Sequence, residues 1–420
     1  MASTPARRIS VVSKYLFFWL FLVFFKLGAG LQYTLLPVLG ARVMPIWVVG
    51  AIMFVSTSLQ IILDIPAGKL LDRFGYKTML MVGTLGAIIG VMLYFYGINI
   101  YTLILSIFLV DFGWLFYTPG GTAYVLSHAS KSNSIKFFSY LHVFGAIGIV
   151  AGTMLLAFTV NAPGPVLALL LGGALVIAMV SIFLAPKDRK IITRKTSPHM
   201  NTHKQRSYLL ANISSAIKRL TPASTLLMLL ECVSGIFYGI VWFVLPLIIA
   251  SALYNGTLLT AGLATFDFTS IVVGSYLAKK VKNKSLKGLV FIGLVVFAIS
   301  GFLLGTNFGI LFILFAVLSS TGNEIASIPL WVWMHHLDRN HNQDGLVSGI
   351  VDLTSEIGWA VGPLLAGILY VLVGPSFTII IGAIPIGVVL AIYYATVRRH
   401  IVKLSLFTVP PKPHRVMHKS

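Results

Sequence analysis

The chain has 420 residues, of which 57% are hydrophobic and only 10% are charged, and its mean hydropathy is +0.93. A water-soluble domain carries about 25% charged residues, so this composition excludes a soluble globular protein and predicts that lipid surrounds most of the chain. The formal net charge is +20, but the positions of the basic residues, described below, argue against a nucleic-acid-binding surface. The single cysteine, Cys232, lies in an apolar stretch and excludes an intramolecular disulfide.

Twelve apolar stretches are long enough to cross a bilayer core, which takes about 20 residues of helix. The first stretch is too long for a cleaved signal peptide and lacks a small-residue cleavage site, so we interpret it as a retained span. The sequence therefore predicts an all-α integral membrane protein. The predicted spans cover residues 15–38, 46–67, 78–98, 101–126, 137–160, 164–185, 222–250, 257–278, 286–306, 308–333, 346–372 and 376–397.

The basic residues follow the topology that twelve spans impose. Of the 31 lysines and arginines, Lys26 lies in span 1 and Arg42 lies between spans 1 and 2. The others lie in the N-terminus, the even-to-odd loops or the C-terminal tail, or, for Lys287, at the start of span 9 beside such a loop. Twelve spans place all these segments on one side of the membrane. The positive-inside rule makes that side the cytoplasm. We therefore expect both termini in the cytoplasm of a plasma (inner) membrane protein, with some attraction of the basic loops to anionic lipids.

The two halves of the sequence repeat the same landmarks about 210 residues apart. The repeated pairs are Pro37 and Pro246, Pro119 and Pro329, Gly148 and Gly358, and Gly152 and Gly362. Such internal repeats are typical of secondary transporters. We predict two pseudo-symmetric six-helix bundles over residues 1–185 and 222–397, a basic cytoplasmic linker over 186–221 and a basic cytoplasmic tail over 398–420.

The loop between spans 2 and 3 carries the most specific motif. It reads Asp64-Ile-Pro-Ala-Gly68-Lys-Leu-Leu-Asp72-Arg73-Phe-Gly75-Tyr-Lys77. This closely resembles the signature loop of the major facilitator superfamily, G-x-L-x-D-R-x-G-[RK]-[RK], and Tyr76 alone departs from it. The resemblance implies the fold of that superfamily, a secondary transporter and a loop that latches the cytoplasmic gate against span 11. We expect a monomer without cofactor or bound metal.

Each motif residue has a physical role. Gly68 would let span 2 approach a neighbouring helix closely, and Gly75 would permit a tight turn. Asp72 is placed to cap a helix N-terminus, where the helix dipole favours an anion. Arg73 and Lys77 would supply the partner charges.

The marks of the drug/proton antiporter subfamily are weaker. Its glycine-proline motif belongs to span 5, where this chain has Ile149 in place of the proline, while span 11 reads Gly358-x-x-x-Gly362-Pro363. Small residues four positions apart let membrane helices pack closely. We therefore interpret the glycines of spans 5 and 11 as packing positions, and a role in gating is the alternative. The predicted packing positions are Gly148, Gly152, Gly358, Gly362 and Pro363.

Several ionisable residues lie inside predicted spans, where a charge at mid-helix costs about 2.5–3.5 kcal/mol. Such groups must face a cavity, form pairs or be protonated. We predict that they form a proton-coupling or substrate cavity; structural ion pairs, for example between Lys26 and a carboxylate, are the alternative. The residues are Lys26, Asp111, Glu231, Asp267, Glu324, Asp352 and Glu356.

Polar and aromatic residues near these charges are possible substrate contacts: Gln32, Trp114, Tyr117, Trp242 and Asn323. Trp331 and Trp333 lie near a span end, where tryptophan commonly anchors in the headgroup region. The cluster from His335 to His341 invites a metal site, but we favour a solvated loop. No Gly-rich phosphate-binding loop is present, so an ion gradient is the expected energy source.

We therefore predict a secondary active transporter, proton-coupled and working by alternating access, and not an enzyme. Buried carboxylates outnumber the one buried lysine, which favours a small neutral or cationic amphipathic solute, and an aromatic-rich cavity favours export. Uptake of a small nutrient such as a sugar is the alternative. A receptor or partner-binding module of the same fold, or a membrane enzyme, are hypotheses from other classes. The expected partners are the small-molecule substrate, protons and membrane lipids, and no nucleic acid.

Overall fold

The computed structural model describes residues 11–128, 134–186, 222–251, 256–280, 286–306, 309–338 and 344–400. Within these ranges the chain is helical and contains no strand. A short helix, Val11–Lys14, precedes the first span. Spans 1 to 6 are the helices Leu16–Ala41, Ile46–Phe74, Tyr76–Met92 (continued by a 3-10 turn, Leu93–Tyr96), Ile100–His128, Ser134–Thr159 and Gly164–Leu184.

The second half repeats this arrangement. Spans 7 to 10 are the helices Pro222–Ala250, Gly256–Lys280, Leu286–Leu304 and Leu311–Asp338. Spans 11 and 12 lie in Asp344–His400, which is broken at Gly374, where φ is 79° and ψ is 174°. Pro375 follows immediately and cannot donate a backbone hydrogen bond, so span 12 starts as a separate helix.

The number of spans agrees with the prediction. Ten helical segments of the described chain are long and apolar enough to cross a membrane, and Val143–Thr159 is a shorter apolar segment. The last of the ten, Leu353–Ala395, is 43 residues long and holds two spans, because it contains the break at Gly374. The predicted fold of twelve transmembrane helices is confirmed. Large apolar side chains cover the outside of the bundle, as a lipid environment requires, and the protein is a multi-pass membrane protein.

Two ends of the bundle are distinguished by their loops. We call the end that holds residues 64–77 the loop end, and the opposite end, which holds residues 41–46, the far end. Odd-numbered spans run from the loop end to the far end, and even-numbered spans run back.

Close helix packing repeats in the two halves at one sequence offset. Gly148 of span 5 lies against the Val23 carbonyl of span 1, and Gly358 of span 11 lies against the Cys232 carbonyl of span 7. Cys232 follows Val23 by 209 residues, and Gly358 follows Gly148 by 210. The contacts of spans 1 and 5 therefore recur in spans 7 and 11.

A second pair of glycines shows the same relationship. A Cβ added at Gly83 of span 3 would lie 3.2 Å from the Gly113 carbonyl oxygen of span 4. Their counterparts on spans 9 and 10 are Gly293 and Gly322, where the corresponding distance is 2.7 Å. These repeated contacts establish the pseudo-symmetry of the two bundles. The boundaries of the halves and of the linker stay predictions, because residues 187–221 and 401–420 lie outside the described chain.

Candidate functional site

A cavity of about 350 Å³ lies at mid-depth and is lined by residues from both halves. This volume is at the small end of the range for ligand pockets, roughly 300–1,000 Å³. Spans 1, 2, 4 and 5 contribute one wall, and spans 7 and 11 contribute the other. The lining residues are Lys26, Gly30, Tyr33, Thr57, Gln60, Ile61, Asp111, Trp114, Thr118, Ile149, Trp242, Glu356 and Trp359.

Among its described lining residues, the cavity contains one basic and two acidic side chains: Lys26, Asp111 and Glu356. Asp111 Oδ2 accepts a hydrogen bond of 2.5 Å from Ser56 Oγ on span 2. In the described part of the chain, this neutral hydroxyl is the hydrogen-bond partner of the Asp111 carboxyl, and no cation pairs with it. Lys26 and Glu356 both make further contacts. The three charged groups therefore differ in how far the protein already satisfies them.

Aromatic rings hold Lys26 against the first wall. Lys26 Nζ lies 5.8 Å from the ring centroids of both Trp114 and Tyr117, a distance at which a cation is attracted to the ring face. Phe25 stacks on Tyr117 with centroids 4.5 Å apart and meets Trp114 edge-on at 5.3 Å. These contacts fix the lysine on the side of spans 1 and 4.

Repeat partners from the two halves both line the cavity. Tyr33 on span 1 and Trp242 on span 7 are 209 residues apart, and Ile149 on span 5 and Trp359 on span 11 are 210 apart. The two halves thus present the same helix positions to the cavity but with different side chains. Two indoles, Trp242 and Trp359, come from the second half.

The far end of the bundle is closed by direct contact between spans 2 and 11. Gly50 lies against the backbone carbonyl of Pro363, and a Cβ added at Gly367 would lie 3.0 Å from the Ile46 carbonyl oxygen. Since neither glycine has a side chain, the two helices approach each other backbone to backbone. Along spans 2 and 11, this contact lies between the cavity-lining residues and the far end.

A family model described as Major Facilitator Superfamily matches residues 9–344 of the sequence. The chain belongs to the major facilitator superfamily. It is accordingly a membrane transporter. No curated protein matches the sequence.

Solved structures of other transporters share this superfamily fold. A POT family transporter in complex with 5-aminolevulinic acid has a TM-score of 0.67 and 16% identity, covering 91% of this chain and 96% of its own. The human organic anion transporter MFSD10 (TETRAN) has a TM-score of 0.62 and 16% identity, covering 93% and 100%. The nucleoside transporter NupG has a TM-score of 0.65 and 12% identity, covering 91% and 99%. At these identities the likeness shows the fold alone.

Several residues of the superfamily signature loop are exposed or face open space in this conformation. Gly75 has φ 90°, in the region that favours glycine. A Cβ added at Gly68 would meet no heavy atom within 4 Å, and Asp72 and Arg73 are exposed. The close approach expected at Gly68 and the helix cap expected of Asp72 are therefore absent among the described residues in this conformation. Asp64, the first residue of the motif, is partly exposed and does not line the cavity.

Lys77 contacts the end of span 6. Its Nζ donates hydrogen bonds of 2.7 Å to the Phe183 carbonyl and 2.6 Å to the Ala185 carbonyl. These carbonyls end span 6, where the helix dipole favours a cation. Lys77 therefore fastens the start of span 3 to the end of span 6.

The other predicted site residues are dispersed. Gln32 is fully buried and donates hydrogen bonds to Tyr94 and Ser106 on spans 3 and 4. Tyr117 is buried beneath Lys26 and is not part of the lining. Asn323 Oδ1 accepts a 2.8 Å hydrogen bond from Ser234 Oγ and joins spans 10 and 7. Of the five possible substrate contacts, Trp114 and Trp242 line the cavity in this conformation.

Glu231 and Glu324 lie outside the lining and make contacts elsewhere. With the offset of 209 residues that the packing shows, the counterpart of Lys26 is Gly235 and the counterpart of Asp111 is Ser320. Glu231 lies one helical turn from Gly235, and Glu324 lies one turn from Ser320, in both cases toward the loop end. The remaining predicted residues cannot be placed. The side chains of Asp267, Asp352, Trp331 and Trp333 and the cluster from His335 to His341 lie outside the described residues.

Proposed function

We propose that this transporter exchanges protons for a small neutral or cationic amphipathic solute by alternating access, and that it exports the solute. It acts as a monomer in the plasma membrane, with the loop end and both termini in the cytoplasm. The basic loops support this orientation through the positive-inside rule.

The observation that carries the proposal is the Asp111 carboxyl in a cavity shared by both halves. Secondary transporters bind substrate and coupling ion near the midplane, between their repeats. A carboxyl at that depth is costly unless it has a role. Asp111 can take up a proton in one conformation and release it in the other.

Closure of the far end supports alternating access. Spans 2 and 11 touch at Gly50 and Pro363, while at the loop end of span 2 a Cβ added at Gly68 would meet nothing within 4 Å and Asp72 is exposed. This pattern fits a cavity reached from the loop end. In the conformation open to the far end, the contact between spans 2 and 11 at Gly50 must break, and the signature loop must bind span 11.

Uptake of a small nutrient such as a sugar is the second candidate function. Thr57, Gln60 and Thr118 give the lining uncharged hydrogen-bonding groups, which suit hydroxyl-bearing solutes. A sugar symporter would use the same carboxyl to couple uptake to proton entry.

The direction of the proton gradient separates the two functions. The purified protein is reconstituted in liposomes, and uptake of N,N,N-trimethyl-2-phenylethylammonium and of glucose is measured with an acidic or an alkaline lumen. The first probe is permanently charged, so it is not trapped by protonation. Proton exchange predicts that the cation accumulates in the acidic lumen, whereas symport predicts that glucose accumulates in the alkaline lumen.

Matched variants connect transport to the site. Asp111→Asn should abolish the effect of the proton gradient, whereas Asp188→Asn, outside the predicted spans, should leave it unchanged. Solute uptake that ignores the proton gradient in wild type, or an unchanged gradient effect in Asp111→Asn, would reject the proposal.

A further inference from the structure

The three charged groups of the cavity have different contacts with the protein, and this difference indicates the charge of the substrate. Lys26 offsets one of the two carboxylates, Asp111 and Glu356, and leaves one negative charge for a proton or a monocation. Asp111 is the carboxyl to which the described chain gives only a neutral donor, Ser56, while Glu356 makes further contacts. A cationic group entering the cavity therefore has its best partner at Asp111.

Lys26 is a poor receptor for a substrate anion. Its Nζ already faces two aromatic rings, Trp114 and Tyr117, at 5.8 Å, and it makes further contacts. A carboxylate on the substrate would have to displace these contacts. It would also lie in the same small cavity as two protein carboxylates.

The described lining residues of the second half are two tryptophans and Glu356, and none of them is a cation. Trp242 and Trp359 are both in the cavity wall, and indole faces attract both apolar rings and cations. Thr57 and Gln60 flank Ser56 and add hydrogen-bonding groups on the first-half side. The first half thus contributes Asp111 and most of the neutral polar groups, whereas spans 7 and 11 contribute two indoles beside the single acid Glu356.

We infer that the substrate is a small monocationic amine with one flat apolar body, bound through its ammonium to Asp111 and through its ring to Trp242 and Trp359. The inference rests on the proposed function only in taking this cavity as the transport site. It narrows the substrate from neutral or cationic solutes to small monocationic amines, and the cavity volume of about 350 Å³ limits the body to roughly one ring system.

Four probes with the same phenyl body and different charges test the inference on the wild-type protein. They are 2-phenylethylamine (cation), 2-phenylethanol (neutral), 3-phenylpropanoate (anion) and phenylalanine (zwitterion), and binding is followed by quenching of tryptophan fluorescence and by thermal shift. The amine should bind about tenfold or more tightly than the alcohol, as a charge-assisted hydrogen bond implies. The anion should not bind measurably. Because this series uses wild type, its outcome does not depend on whether a variant folds.

Two variants then separate the ammonium site from the ring site. Asp111→Asn should lower amine affinity about tenfold and leave alcohol affinity unchanged. Trp242→Leu should weaken the amine and the alcohol to the same extent. Asp188→Asn, a charge outside the predicted spans, and Trp47→Leu, a tryptophan that is not in the cavity lining, should bind both probes as wild type does.

Each contrary result overturns the inference. Amine affinity no higher than that of the alcohol removes the ammonium site. Tight binding of phenylalanine or of 3-phenylpropanoate assigns a substrate carboxylate to Lys26. If the amine binds but no proton flux accompanies its transport, the proposed function fails and the inference stands. If another solute drives proton flux while the amine does not bind, the inference fails and the proposed function stands.

Discussion

Gly50 of span 2 lies directly against the backbone carbonyl of Pro363 of span 11, with no room for a methyl group between them. The contact joins the two halves of the transporter at the far end. It can form only because position 50 lacks a Cβ, and it must break if the cavity is to open on that side. Gly50 therefore controls the stability of the far-end-closed conformation.

Replacing Gly50 by alanine should shift the conformational equilibrium toward the far-end-open state. Overpacking of a close contact costs about 1–3 kcal/mol, and 1.4 kcal/mol is a tenfold change in an equilibrium. The measurement is the labelling rate of Thr57→Cys, in the cavity lining, by an impermeant thiol reagent applied to the far end, in a background with Cys232→Ser. We expect labelling about tenfold faster in Gly50→Ala.

Gly173→Ala is the matched control, since a Cβ added at Gly173 meets nothing within 4 Å. Its labelling rate should equal that of the parent. If Gly50→Ala and Gly173→Ala label equally fast, the contact between spans 2 and 11 does not govern access.

The repeated packing predicts equal costs in the two halves. Gly148→Ala and Gly358→Ala would each drive a methyl group into the backbone carbonyl of the facing span, at Val23 and Cys232 respectively. Each should lower stability by about 1–3 kcal/mol, seen as a lower melting temperature in detergent. Gly387→Ala, which faces open space, should not lower it. A melting temperature for Gly358→Ala at or above that of wild type would contradict the close approach.

Gln32 is expected to stabilise the first half and not to bind substrate. Its amide joins spans 1, 3 and 4 through Tyr94 at 3.2 Å and Ser106 at 2.9 Å. Gln32→Met removes both hydrogen bonds at similar side-chain volume. Stability should fall by about 0.6 kcal/mol per bond, a value measured for membrane proteins, while 2-phenylethylamine affinity remains within twofold of wild type. A tenfold loss of affinity at unchanged stability would place Gln32 in the binding site.

Lys77 should contribute to stability through the end of span 6. Lys77→Met removes the charge and both hydrogen bonds to the Phe183 and Ala185 carbonyls, and a cation at a helix C-terminus is worth about 0.3–1 kcal/mol. Limited proteolysis of the segment after Pro186 should become faster. Lys69→Met, an exposed lysine of span 2, serves as the control. Equal cleavage rates in the two variants would show that Lys77 has no anchoring role.

The architecture could be predicted from the sequence because a span must be apolar over a fixed length, and most span boundaries agree within a few residues. The helices of spans 2 and 10 run further than predicted, to Phe74 and Asp338. Hydropathy measures only the lipid-embedded part of a helix, and these two continue beyond it at the loop end.

The charged residues of the cavity lining could be predicted, because a charge inside an apolar span stands out in the sequence. Lys26, Asp111 and Glu356 are found in the cavity lining. The prediction of a proton-coupling or substrate cavity requires charged groups at such positions. Trp114 and Trp242 are the predicted neutral residues in the lining, and the other neutral residues of the described lining were missed: Gly30, Tyr33, Thr57, Gln60, Ile61, Thr118, Ile149 and Trp359. Placing such residues requires the rotation of each helix about its axis, which apolar length does not give.

Gln32 and Tyr33 illustrate this difficulty. Adjacent residues of a helix point about 100° apart, so when Tyr33 faces the cavity, Gln32 faces spans 3 and 4. The sequence did contain a usable signal. Since Trp242 was already suspected, the offset of 209 residues leads directly to Tyr33.

The counterpart of Asp111 in the second half is Ser320, which donates a 2.7 Å hydrogen bond to the Phe266 carbonyl of span 8. Phe266 is in turn the counterpart of Thr57, next to Ser56. The same junction between two helices therefore carries a neutral bond in one half and an acid in the other. The charge of the site is thus asymmetric although the packing of the helices around it is repeated.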